Sequence, residues 1–97
     1  MAIIKISDYV NQCYSNDDGQ IIFELLKSKL ESQETVQVSF EGFDIAASSF
    51  INSAFIQLLD NFSFETIKSM ISFIHSNKSI NDLIKLRFQS ETKLLRV

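Results

Sequence analysis

The sequence has no tryptophan, no proline, and only one cysteine and one histidine. Each shortage closes off a class of protein. A single thiol, Cys13, cannot form an internal disulfide, which suits a reducing compartment. With His75 as the one imidazole, no zinc site can be assembled from soft ligands. Without proline there is neither a Pro-rich ligand nor a stiff linker. Positive charge is short as well, with nine Lys and Arg against twelve Asp and Glu, a net charge of −3. The cations are scattered, whereas nucleic-acid binding leans on clustered ones that neutralise phosphates. Nucleic acid is therefore disfavoured as a partner. The opening MAIIKISDYV meets Lys5 too early to be a signal peptide or a membrane span. Cytoplasmic residence without a membrane partner is the expectation.

What is present argues for a packed globule. Apolar residues make up 45% of the chain, and nine of them are phenylalanine. At 97 residues the chain is one small domain, 1–97, able to bury roughly 60–65% of its unfolded surface in a single core.

The chain is organised around Thr35–Asp60. Val36, Val38 and Phe40 alternate with Gln37, Ser39 and Glu41, the period of a half-buried strand. Gly42 and Asp44 interrupt it. From Ser48 the apolar spacing becomes helical, with Ile51, Ala54, Phe55, Leu58, Leu59 and Phe62 on one face. Two serines at a helix start, just past a strand end, mark a place where chemistry can occur. The free N–H groups of such a helix end favour an anion.

Around this centre, Ala2–Ile6 reads as a first strand, and Tyr9–Gly19 as either a helical turn or a loop, its SNDDG cluster being turn chemistry. A helix runs from Gln20 to about Ser32. Ser63 caps a short helix, Phe64–Ser69. Met70–Ile74, MISFI, is a brief apolar run of the kind expected in a strand covered on both faces. Ser79 caps a last helix with Ile80, Leu83, Ile84 and Phe88 on one stripe, and ETKLLRV, 91–97, stands as a tail. The order β-α-β-α-α-β-α predicts an α/β fold with a mostly parallel or mixed sheet of four strands or fewer. Ligands in such folds gather at the carboxyl ends of the strands, here the Glu41–Ser49 turn.

The run Ser-Ser-Phe-Ile-Asn-Ser-Ala-Phe-Ile-Gln-Leu-Leu at Ser48–Leu59, after the strand VQVSFEGFD, resembles the STAS-like domain family of unknown function. The Ile-x-x-Leu-Ile-x-x-Arg-Phe pattern at Ile80–Phe88 is similar to that family too, and the likeness spans about Gln20–Phe88. The wider STAS fold of anti-sigma factor antagonists implies a switch. There the second serine of an Asp-Ser-Ser-Gly motif, at the start of the central helix, is phosphorylated by a histidine-kinase-like ATPase partner. By position Ser48 and Ser49 match the two serines, making Ser49 the implied phosphoacceptor. Ala47 stands where that motif has Asp, and Phe50 where it has Gly.

Ser48 and Ser49 also fit the plain role of an N-cap and its neighbour. Asp44 and His75 read as turn residues. A Ser49, His75, Asp44 triad is defined by geometry that sequence cannot supply. Helical projection puts Phe50 and Ile56 off the apolar stripe, beside Ser49, Ser53 and Gln57. Together with Phe43 and Asp44 they form the expected partner-binding face. The expectation is a non-catalytic regulatory interaction module without cofactor or metal. The alternative is a small-ligand or nucleotide sensor that holds an anion at the Phe43–Ser49 turn.

Overall fold

In the sheet Ala2 lies level with Val36 and Val36 with Ile71, and both pairings run parallel. The computed structural model describes residues 2–95, with side chains as far as Thr92. Its elements are β1 (Ala2–Lys5), α1 (Asn16–Glu31), β2 (Val36–Ser39), α2 (Ser48–Ala54), α3 (Phe64–Met70), β3 (Ile71–Ile74) and α4 (Lys78–Leu95). A 3₁₀ turn, Ile6–Asp8, follows β1, and another, Ile56–Asp60, follows α2. The expected order and α/β class hold. The sheet has three strands, ordered β1-β2-β3, with β2 at its centre.

Strands that advance one way across a sheet, joined by crossovers of one hand, place every crossover on the same side. The burial pattern shows the result. Ile4, Val36, Val38, Phe40 and Ile71 are buried on the helix side, whereas Ile3 on the opposite face is 64% exposed. On that outer face Gln37 and Ile74 are half-buried and Ser72 is exposed, while Ser39 at the carboxyl end of β2 is buried. Parallel sheets are usually covered on both faces. This one is covered on one, so the reading of MISFI as a doubly covered strand fails; Met70 belongs to α3 and the strand starts at Ile71.

Phe55 joins the layers. Its ring lies 5.1 Å from Phe73 edge-on, 6.1 Å from Phe40 and 6.3 Å from Phe50, so one cluster ties the central helical segment to β2 and β3. At Phe55 the φ angle reaches −118° and α2 ends. The expected continuous helix to Asp60 is instead a seven-residue helix and a 3₁₀ turn, in which Leu58 N–H bonds to Phe55 C=O. The tighter coil keeps Leu58 buried while changing which way its neighbours face.

Several ends differ from expectation for local reasons. Ser15 Oγ accepts the Asp18 N–H at 3.1 Å, so α1 begins at Asn16 and the SNDDG cluster is its cap and first turn. Ser63 caps α3 as expected, accepting from Thr66 N–H. At α4 the Ile80 N–H is accepted by Asn77 Oδ1 at 2.9 Å, which makes Asn77 and not Ser79 the capping residue. Residues 91–95 continue α4 rather than forming a tail, and the rest of that segment lies outside the described residues.

Helix α1 packs closely on α2 at Gly19. A Cβ built on Gly19 would lie 2.7 Å from the Phe50 carbonyl oxygen and 2.7 Å from Ser53 Cβ. Gly19→Ala is expected to destabilise the fold, because overpacking costs about 1–3 kcal/mol and the better helix propensity returns at most about 1. Phe55→Ala is expected to cost about 3–5 kcal/mol, as large-to-small core changes do. Urea unfolding of both variants checks this; a loss below about 1 kcal/mol for Phe55→Ala would place the ring outside the core.

Candidate functional site

All three strands point the same way, so the loops leaving them meet at one end of the sheet. Hydrogen bonds stitch these loops together. Ala47 N–H donates to Cys13 C=O at 2.8 Å, joining the loop after β2 to the loop after β1. Two residues on, Ser49 Oγ–H donates to Tyr14 C=O at 2.8 Å. Asn77, just after β3, donates its side-chain amide to Asp44 C=O at 2.8 Å. Gly42 at φ 91° and His75 at φ 54° turn the chain sharply as it leaves β2 and β3. Lys5 and Glu41 pair at 3.3 Å on the exposed surface, where an ion pair contributes little.

Ser48 is exposed as the first residue of α2, while Ser49 is half-buried by its bond to Tyr14. Neither caps the helix: Ala47 occupies the N-cap position and gives no side-chain acceptor. Phe43 is half-buried and Asp44 exposed. The rest of the expected partner face is elsewhere. Phe50 is 0% and Ile56 8% exposed, so both are core and the projected patch does not exist. Ser53 Oγ–H donates to Asn16 Oδ1 at 2.9 Å, and Gln57 Nε2 donates to Gln20 Oε1 at 2.9 Å. The polar face of the central helix is thus an interhelical seam against α1. On the far side Asn52 accepts Arg87 Nε–H from α4 at 2.8 Å.

What sequence reasoning missed is the apolar surface at the loop end. Tyr9 is 48%, Tyr14 52% and Ile45 65% exposed. All three sit in irregular segments outside any periodic stripe, so no spacing pattern pointed to them.

Ser49, His75 and Asp44 form no triad, since among the described residues no hydrogen bond joins any two of them and the Ser49 hydroxyl is committed to Tyr14. Among the described residues no cluster of three His, Cys, Asp or Glu is placed to hold a metal, and no helix is long and apolar enough to cross a membrane. A cavity of about 220 Å³ beside the turn is lined by Asp44, Ile45, Ala46, Ser79 and Ile80. It is smaller than the roughly 300–1,000 Å³ of typical ligand pockets. Its lining brings a carboxylate and no cation to the place where an anion was expected.

The model of the STAS-like domain of unknown function (DUF4325) matches residues 18–81, about two thirds of the chain. The chain belongs to this family. The match begins in the first turn of α1 and ends in the first turn of α4, so it takes in the Ser48–Ser49 loop and the central helix. Comparison with curated proteins and with solved structures gives no match.

Cys13 lies under the site, fully buried, and burial, aided by the Asp18 carboxylate, pushes its thiol up to about 12. A thiol held neutral is a poor nucleophile. Native protein should resist a disulfide labelling reagent at neutral pH and react only as denaturant unfolds it. The unfolded thiol ionises near 9.0, below the folded value, so its contribution to stability is complete below pH 9.0 and is lost between there and about 12. Unfolding of wild type and Cys13→Ala across that window should show the wild type losing more.

Proposed function

We propose that this STAS-like domain is a non-catalytic regulatory module that docks a protein partner through the loop end of its sheet. One observation carries this reading: Tyr9, Tyr14 and Ile45 are exposed in the loops at the end of the sheet where Ser48 is also exposed, while Ser53 and Gln57 of the central segment are bonded to α1. Aromatic residues are favoured interface anchors, and the loops after β1 and β2, tied to each other through Ala47 and Cys13, present these side chains together. The partner class implied by the wider fold is a histidine-kinase-like ATPase. Phosphorylation at Ser48 would set about −2 charge beside Tyr14 and Ile45. At Ser49 it would in addition remove the hydroxyl proton that binds Tyr14 C=O. Either change opposes docking. The reading as an anion or nucleotide sensor has less support, because Asp44 lines the cavity at that turn.

The test is titration of the domain against histidine-kinase-like ATPases of the same organism. Tyr14→Ala and Ile45→Asp should each weaken binding about tenfold or more with the circular dichroism unchanged. Binding equal to wild type in both variants would move the interface elsewhere. Incubation with ATP and such a partner should add phosphate to the wild type and not to a Ser48→Ala, Ser49→Ala double variant.

A further inference from the structure

We propose that the outer edge of β3 is a second docking site, which takes an extended, acidic-flanked apolar segment of a partner protein as a fourth strand. It shares no residue with the surface around Ser48. A groove of about 610 Å³ runs between α3 and α4 over this edge. Ile67, Ile71, Phe73 and Ile84 line it, and Phe64 and Phe88, with rings 5.4 Å apart, form a wall.

The backbone selects an extended occupant. Phe40 N–H donates to Ile74 C=O at 3.1 Å, which turns the polar groups of Ile74 toward β2. Strand alternation then turns those of Phe73 outward. The Ile71 N–H already closes α3 onto Ile67 C=O, so Phe73 holds the outward donor of the edge and shares its outward carbonyls with Ile71. The Phe73 side chain also lines the groove. A strand that pairs with Phe73 would send its own alternate side chains onto the same apolar floor, which a docked helix could not do while using those backbone groups. Edge strands are commonly guarded by a charge, a proline or a bulge. Ile-Ser-Phe-Ile carries no charge and no proline.

Charge selects the flanks. Lys68 and Lys85 line the groove, both exposed, and the lining holds no Asp or Glu. Among the described residues neither lysine is in an ion pair. On a chain of net charge −3 this is a local positive rim around an apolar slot, complementary to acidic residues that flank an apolar strand.

The probe is a phage-displayed library of random linear peptides. Selection should enrich alternating apolar residues bounded by Asp or Glu. A synthetic peptide of the enriched sequence should slow hydrogen exchange at the Phe73 amide. It should bind a Lys68→Glu, Lys85→Glu variant about tenfold more weakly, and exchanging its acids for lysine should restore binding. Circular dichroism confirms that the variant is folded, and a Lys68→Gln, Lys85→Gln variant gives an intermediate loss. The proposal is overturned by failure to enrich such peptides, by binding that leaves Phe73 exchange unchanged, or by equal affinity for the variant. Concentration-dependent self-association of the chain, relieved by the same two substitutions, would assign the groove to a second copy and overturn it too.

Discussion

The missing side chain at Gly19 decides how this molecule is layered. Without it, α1 settles onto α2 until the Phe50 carbonyl and Ser53 stand where a methyl group would have been. That approach brings Asn16 within reach of Ser53 and Gln20 within reach of Gln57. The central helix is then enclosed by α1, by the sheet through Phe55, and by α4 through Asn52 and Arg87. Enclosed in this way, the central segment spends Asn52, Ser53 and Gln57 on bonds to its neighbouring helices and keeps them half-buried.

Much of the fold was legible because its signals are local. The alternation through Val36–Phe40 identifies the central strand, and the helical stripe through Ile51, Ala54, Phe55 and Leu58 identifies the buried face, all four of which are core. Ser63 caps where a serine should. The partner face was misread because a helical projection assigns one buried side and assumes water on the other. Phe50 and Ile56 fall off the stripe yet are buried by a second layer of packing that no single-helix pattern encodes. The end of α2 at Ala54 carries no glycine or proline to announce it; it follows from the fit of Phe55 among Phe40, Phe50 and Phe73. Which of two neighbouring candidates caps α4, Asn77 or Ser79, depends on the backbone path out of β3, where His75 takes a left-handed conformation.

The candidate site was legible in position and not in content. That it lies at the carboxyl ends of the strands follows from parallel topology alone. Its exposed members, Tyr9, Tyr14 and Ile45, come from segments without periodicity, so no pattern could rank them. Ser49 illustrates the limit: sequence offers a hydroxyl at a helix start, and only the folded chain shows its proton donated to a carbonyl from a segment thirty-five residues earlier.

The absence of tryptophan, joined to where the tyrosines lie, gives the molecule an optical division of labour. Its nine phenylalanines absorb too far into the ultraviolet to contribute to emission excited near the tyrosine band. That emission comes from Tyr9 and Tyr14, both at the loop end of the sheet and both half open to solvent. The intrinsic fluorescence of this protein is therefore a reporter of what touches that end, and largely blind to the state of the core.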